Sequence, residues 1–208
     1  MDWDRFASGY TSQLWLEQRA VNKLLDLLDV SPDERLLDVA TGPAVVLDQL
    51  ARRERRPAVA VGIDASREML SHAPKLPRGW ELQKGDARRM PFADASFDVV
   101  LASYLLHVLD ADDRRAVVAE IARVLRPAGR VGTLTVAPPV SAPARALTAP
   151  LRRAAERSEG KLRGMCPLDP TADLAAGSLV ETARARTFMG YPSLCLVVQL
   201  SERRRTSA

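Results

Sequence analysis

Arg35-Leu-Leu-Asp-Val-Ala-Thr-Gly-Pro-Ala-Val-Val-Leu47 is an apolar run broken by a carboxylate and closed by a turn on Gly42. Leu36, Leu37 and Val39 predict an interior strand over 35–40, and the apolar spacing after the Ala40–Ala44 turn predicts a helix over 44–53. Asp38 stands at the end of that strand. An unpaired carboxylate in such a place costs several kcal/mol, so Asp38 calls for a positively charged or N–H partner. A ligand amine is one candidate and the turn's own N–H groups are the other; the two are compatible.

Outward from this stretch, strand and helix alternate almost to the end of the chain, the pattern of an α/β fold with a mostly parallel sheet. Residues 12–28 predict an amphipathic helix, with Leu14, Val21, Leu24, Leu25 and Leu28 at helical spacing and Ser31-Pro32 beyond it. Strand two covers 58–63 and ends at Asp64, after which Ser66 can N-cap a helix through Leu70 with Glu68 in its first turn. Strand three is Trp80–Lys84, before Gly85-Asp86. Strand four, Phe97–Ala102, leads to Tyr104-Leu-Leu-His107 and a helix over 110–125 with Val117, Val118, Ile121, Val124 and Leu125 on its buried stripe. Pro127-Ala-Gly129 stops that helix, and strand five runs from Arg130 to Val136.

Residues 137–167 differ, with five prolines, weak periodicity and a short helix expected near Leu147–Ala155. A long excursion of this kind in a compact domain is usually functional, often a lid. A helix near Thr171–Ala176 and two strands, about 179–188 and 194–200 around a Gly190-Tyr191-Pro192-Ser193 turn, complete the chain as an antiparallel hairpin. No repeat and no linker divides residues 1–208, which read as one domain: an N-terminal lid helix region over 1–30, the sheet, and an acceptor-side excursion over 137–167.

Composition excludes several classes. Hydrophobic residues at 47% and charged residues at 27% are those of a globular domain. The net charge of +4 comes from dispersed arginines, with lysine only at positions 23, 75, 84 and 161, so no nucleic-acid-binding stripe is expected. Arg203-Arg204-Arg205 reads as a solvated polar end. Two cysteines, Cys166 and Cys195, form no disulfide framework and lack metal-ligand spacing. No apolar run approaches the roughly 18 residues of a membrane span, and Met1-Asp-Trp-Asp-Arg5 is too acidic for a secretory signal. The expectation is a cytoplasmic protein with reduced thiols, no metal, and a monomeric or homodimeric state.

Asp38, Asp64 and Asp86 fall at or near the ends of three predicted strands. In open parallel sheets these ends line the ligand crevice where strand order reverses. Gly42 lets the backbone approach a ligand, and the helix after it offers N–H groups. An acid after strand two suits ribose hydroxyls, and one after strand three can accept from an exocyclic amine such as that of adenine. Taken singly, Asp64 could belong to a helix start and Asp86 to an Asx turn. Three at equivalent ends point to a nucleoside ligand.

Five motifs in order then carry a resemblance: Leu37-Asp-Val-Ala-Thr-Gly-Pro-Ala44, Gly62-Ile-Asp-Ala-Ser-Arg-Glu-Met-Leu70, Gly85-Asp-Ala-Arg-Arg-Met-Pro-Phe-Ala-Asp-Ala-Ser-Phe-Asp98, Leu105-Leu-His107 and Ile121-Ala-Arg-Val-Leu-Arg-Pro-Ala-Gly-Arg130. From about Trp3 to Leu200 the chain resembles class I S-adenosylmethionine-dependent methyltransferases, in the group similar to ubiquinone/menaquinone-biosynthesis and other small-molecule methyltransferases. The resemblance implies a single Rossmann-like doubly wound sheet, mostly parallel with an antiparallel C-terminal hairpin strand, and helices on both faces. It implies S-adenosylmethionine as cofactor, S-adenosylhomocysteine as product and a small-molecule acceptor. By the same resemblance Asp38 with Ala40, Thr41 and Gly42 holds the methionine moiety. Asp64 and Ala65 lie at the ribose, Met69 packs near adenine, Asp86 and Ala87 read the adenine edge, Ala102 and Ser103 lie beside the methionine end, and Tyr10 belongs to the lid.

The turn departs from the family where Ala40 and Ala44 replace glycines, and the Ala44 methyl is expected to crowd the helix start. Methyl transfer from a sulfonium needs alignment and exclusion of water more than covalent help. His107 is the candidate base for an acceptor that must lose a proton, its other reading being a helix-start histidine tied to backbone. Tyr10, Trp15, Tyr104, Met165 and Tyr191 could line an acceptor pocket or simply pack in the core. Arg145, Arg152 and Arg153 read as a solvated face. Where nucleobase amine methyltransferases carry an Asn/Asp-Pro-Pro-aromatic motif, Ala102-Ser-Tyr-Leu105 stands here. Two other readings share the glycine turn: a nicotinamide-dependent oxidoreductase, which does not need Asp86 and normally has a fuller Gly-x-Gly-x-x-Gly turn, and a non-catalytic binding protein on the same fold.

Overall fold

Leu36, Leu37 and Val39 are buried to the last atom because the strand they form lies third in a seven-stranded sheet. The computed structural model describes residues 16–143, 149–150, 166–188 and 192–201. Its strands are β1 (Arg35–Val39), β2 (Val59–Asp64), β3 (Trp80–Lys84), β4 (Phe97–Ser103), β5 (Leu125–Val136), β6 (Leu179–Thr187) and β7 (Ser193–Leu200), in the spatial order β3-β2-β1-β4-β5-β7-β6. The first five are parallel to one another, whereas β7 runs antiparallel between β5 and β6. Strand order reverses between β1 and β4, and their carboxyl ends open the crevice of such a sheet.

Alternation along the central strands sends side chains to two cores. Leu37, Val39, Ile63, Val100 and Ala102 meet Val117, Val118 and Ile121 of helix α4 (Ala111–Val124) and Leu174 of α5 (Thr171–Ala176). Leu36, Ala60, Val99 and Leu101 meet Val21, Leu24, Leu25 and Leu28 of α1 (Gln18–Leu28) and Val46, Leu47 and Leu50 of α2 (Val45–Ala51). Helices thus cover both faces, as predicted. Local signals end the elements where the sequence suggests. The Ser66 side chain accepts the Met69 N–H at the start of α3 (Arg67–Ser71), and Asp110 accepts the Asp113 N–H at the start of α4.

Strand five differs from its prediction. It begins at Leu125, directly after α4, and pairs Phe97 with Leu125 before the register slips to Val99 with Arg130. Arg126–Gly129 is absorbed in that irregularity, one of the few places within a sheet where proline fits. A Cβ at Gly129 would stand 2.8 Å from the Asp98 carbonyl oxygen and 2.7 Å from Leu125 Cδ1, so a larger residue there must displace backbone. Residues 149–150 are helical within the helix predicted near 147–155; the rest of that helix, most of the 137–167 excursion, the tip of the terminal hairpin and the region before residue 16 lie outside the described residues. Among the described residues, no helix is long and apolar enough to cross a membrane.

Candidate functional site

Asp38 is 1% exposed at the end of β1, with Gly62 of β2 on one side and Leu101 of β4 on the other. Thr41 Oγ1 donates to its Oδ2 at 2.6 Å, while Oδ1 has no hydrogen-bond partner among the described residues. Burial pushes the carboxyl up to about 7; the Thr41 hydroxyl opposes the shift and the nearby Asp64 charge adds to it. The turn amides do not satisfy Asp38. Thr41 N–H goes to the Ile63 carbonyl, Ala44 N–H to the Thr41 carbonyl, and Gly42 N–H to Asp64 Oδ2 at 2.8 Å. The sequence alternative of a carboxylate satisfied by its own turn is therefore replaced by a single bond from the Thr41 hydroxyl.

The turn places alternate residues in the left-handed region, with φ of 56° at Ala40, 56° at Gly42 and 58° at Ala44. Left-handed backbone costs a residue with a Cβ about 1–2 kcal/mol, so the two alanines store strain where the chain arches over the crevice. The Ala44 methyl is fully buried in the core beneath α2, and its left-handed backbone adds a conformational penalty. A Cβ built on Gly42 would meet nothing within 4 Å. This is open space against bare backbone.

Asp64 closes β2 and ties the turn to the next helix: besides the Gly42 amide, the Ser66 N–H donates to its Oδ1 at 2.8 Å. Ala65 beyond it is exposed, whereas Met69 is buried against β2 and β3. Asp86 lies past β3, half exposed, gripped by Arg88, whose side chain donates to both carboxylate oxygens and whose N–H donates to Oδ1 at 2.9 Å. Arg88 holds the Asp86 carboxyl below its usual range. Ala87 beside it is half-buried against the α4 core.

Across the switch point, Ala102 is fully buried beneath the crevice, and Ser103 and Tyr104 follow at its rim. Tyr104 is also left-handed, φ 52°, a conformation rarely adopted by an aromatic residue. Its phenol shares a 2.6 Å hydrogen bond with the Ser193 hydroxyl at the start of β7, and its ring stands edge-on to His107 at 5.9 Å. His107 occupies a short 3-10 turn, Leu106–Val108, and is 6% exposed. The structure thus brings Asp38, Thr41, Gly42 and Asp64 together and sets Asp86, Tyr104 and His107 around them by topology. Tyr10, Trp15, Met165, Tyr191 and the excursion arginines 145, 152 and 153 lie outside the described residues. A depression of about 400 Å³ lined by Leu25, Asp29, Leu50 and Arg55 sits at the opposite, amino ends of β1 and β2, away from these acids.

Thr41 was expected at the site through its backbone, but its side-chain bond to Asp38 was not, and Arg88 was missed altogether. A hydroxyl three residues after a buried acid, and an arginine two residues after an exposed one, were the available signals.

A mostly parallel sheet with a turn containing left-handed residues over its switch point and acids at three adjacent strand ends defines a Rossmann-like domain. Comparison with known proteins agrees: residues 36–129 match the family model of a methyltransferase domain. The chain is 40% identical over 107 residues to the ubiquinone/menaquinone biosynthesis C-methyltransferase of Desulfotalea psychrophila, covering 50% of this chain and 42% of that one. It is 37% identical over 147 residues to the nocamycin O-methyltransferase of Saccharothrix syringae, covering 68% and 52%. A solved S-adenosylmethionine-dependent methyltransferase of Methanosarcina mazei shares the fold at a TM-score of 0.64 and 16% identity, covering 83% of this chain and 95% of that one. Residues 36–129 belong to the methyltransferase domain family, and the chain shares its fold with solved S-adenosylmethionine-dependent methyltransferases. It spans about half the length of the curated relatives it matches.

Proposed function

We propose that this chain transfers the methyl group of S-adenosylmethionine to a small-molecule acceptor by in-line displacement. The observation that carries the reading is Asp38 Oδ1, a buried carboxylate oxygen at the switch point of the sheet with no hydrogen-bond partner among the described residues. An α-ammonium placed there supplies both the hydrogen bond and the charge that the site lacks. The Gly42 backbone leaves room beside it, Asp64 presents its carboxylate to the ribose, and Asp86 offers an acceptor to the adenine amine. When bound, S-adenosylmethionine supplies a methyl carbon activated by the sulfonium.

The chain's own contribution is to grip both ends of the cofactor and align it, an effect worth up to about 7–11 kcal/mol for well-oriented reactants. In this reading His107 takes the proton from an acceptor that must lose one, and the packing of Tyr104 edge-on to its ring supports that role. The two relatives' names differ in the atom methylated, carbon in one and oxygen in the other, so the acceptor atom is left open.

Two measurements test the reading. S-adenosylhomocysteine at about one hundred times its Kd adds roughly 2.7 kcal/mol to stability and raises the melting temperature, whereas NAD does not; the reverse result supports the oxidoreductase reading. A labelled-methyl screen over phenols, quinols, amines and hydroxylated natural products then yields a labelled product. Stabilisation by S-adenosylhomocysteine with no product from any acceptor supports the non-catalytic binding reading.

A further inference from the structure

The Asp86 carboxylate is held from one side by an unusually complete set of donors. Arg88 Nε lies 3.0 Å from Oδ1 and 3.2 Å from Oδ2, Nη2 lies 2.7 Å from Oδ2, and the Arg88 N–H lies 2.9 Å from Oδ1. The far nitrogen of the same guanidinium, Nη1, reaches Asp113 Oδ1 in the first turn of α4 at 3.1 Å. Arg89 N–H meanwhile donates to the Asp86 carbonyl at 3.0 Å, so backbone and side chain are fixed together. The loop continues into a second clamp on the same helix, where Glu120 accepts the Met90 N–H and Arg123 donates to the Met90 and Phe92 carbonyls.

Counting lone pairs shows what this leaves. The two oxygens offer about four acceptor directions. Oδ1 spends two on the backbone N–H and on Nε, whose single hydrogen also leans on Oδ2 at the longer 3.2 Å, and Oδ2 spends one on Nη2, so the one direction on Oδ2 that meets only this shared Nε–H is open to a stronger donor. A planar guanidinium fork fixes the plane of its carboxylate in a way a lysine ammonium does not. The geometry points to Arg88 as a positioning residue for purine selection, which rests on the cofactor reading above. By pinning Asp86 to α4 it holds one acceptor lone pair in a single direction. A 6-amino purine can donate to that lone pair, and a 6-oxo purine presents an oxygen that it repels. A carboxylate free to turn could instead find the N1–H of the 6-oxo base, and selectivity would fall.

The test is calorimetric titration of the full chain with S-adenosylhomocysteine and its 6-oxo analogue S-inosylhomocysteine. Wild type is expected to prefer the amino purine. Arg88→Ala is expected to lose about three- to tenfold of that preference, the worth of one oriented hydrogen bond. Arg88→Lys, which keeps the charge without the fork, is expected to behave like it. Asp113→Asn, which leaves Asp86 and Arg88 in place, is expected to lose part of the preference in the same direction. Equal weakening of both ligands in Arg88→Ala, a purely structural effect, overturns the inference. So does tighter S-adenosylhomocysteine binding, which would make Arg88 a competitor of the base, and so does full recovery by Arg88→Lys. If wild type binds neither nucleoside, the cofactor reading itself fails, a result distinct from wild type binding with its preference unchanged in Arg88→Ala.

Discussion

Thr41 Oγ1 donates to one oxygen of Asp38 at 2.6 Å, and the other oxygen of the same buried carboxyl has no partner among the described residues. This half-satisfied acid makes both stability and ligand binding depend on pH. Its folded pKa of about 7 lies above the unfolded value of about 3.8, so between these values the folded state binds the extra proton. The contribution to stability is fully present below about pH 4, is lost as pH rises towards 7, and is flat above that. The cost of charging the site is on the order of 4 kcal/mol. Urea melts of the ligand-free protein should show stability falling from pH 5 to pH 8 through this group, and Asp38→Asn should flatten that fall. An unchanged slope in the variant would assign the dependence elsewhere.

The same acid should release a proton when an ammonium binds beside it. Titration of S-adenosylhomocysteine in buffers of different ionisation enthalpy should show close to one proton released at pH 6 and close to none at pH 8.5. The thermal shift given by the ligand should grow over the same interval. Equal proton counts at both pH values would remove Asp38 from the ammonium site.

Thr41→Val keeps the shape that packs on Gly62, where a built Cβ would stand 2.9 Å from Thr41 Cγ2 and 3.0 Å from Oγ1. It deletes only the donor to Asp38. The variant should lose about 1–3 kcal/mol at pH 8, where the carboxyl is ionised, and less at pH 5, where it carries a proton. Chemical denaturation at the two pH values checks this; equal losses would reduce the role of Thr41 to packing.

Asp64 accepts the Gly42 and Ser66 amides, each at 2.8 Å, so it is structural before any ribose arrives. Asp64→Ala strands two backbone donors and should lower stability by about 1–3 kcal/mol as well as weaken nucleoside binding. Asp64→Asn, with one acceptor oxygen, should fall between it and wild type. A melting curve and a ligand titration on each variant separate the two effects, and unaltered ligand affinity in Asp64→Ala would remove the ribose role.

The architecture was legible because periodicity reports burial. Leu36, Leu37 and Val39 had to be interior, the stripe from Val117 to Leu125 had to face the sheet, and Trp80–Lys84 was found to the residue. Ser66 was legible as a cap because capping is local chemistry. The start of β5 was not, because Pro127 and Gly129 read as a stop although a slip in register lets the strand continue through them. Arg88 was hidden for a related reason: an ion pair that joins a loop to a helix 25 residues away leaves no periodic trace. The acids at the strand ends could be seen, but the division of the turn's amides between Asp64 and the backbone could not.

The two alanines of the turn should respond differently to glycine. Ala40 is half-buried and left-handed, so Ala40→Gly relieves about 1–2 kcal/mol of conformational cost against a smaller loss of contact and backbone entropy. It should raise the melting temperature slightly. Ala44 is fully buried, and its glycine variant also forfeits about 0.8 kcal/mol of methyl burial, leaving stability near or below wild type. Thermal melts that rank Ala44→Gly above Ala40→Gly would contradict this account of the strain.

Adding a methyl to the two glycines that frame Asp38 distinguishes ligand space from packing. A Cβ on Gly42 meets nothing within 4 Å, whereas one on Gly62 would stand 2.6 Å from Leu82 Cδ2 and 2.9 Å from Thr41 Cγ2. Gly42→Ala should therefore fold with a loss of about 1–2 kcal/mol, the left-handed penalty alone, yet bind S-adenosylhomocysteine at least tenfold more weakly, because the methyl enters the volume where a ligand approaches backbone. Gly62→Ala should be limited by stability, since Leu82 and Thr41 must both move and such overpacking typically costs 1–3 kcal/mol. Its remaining folded fraction should keep more of its affinity than Gly42→Ala does. Calorimetric affinities corrected for folded fraction decide the matter, and undiminished binding by Gly42→Ala would place the ligand away from the turn.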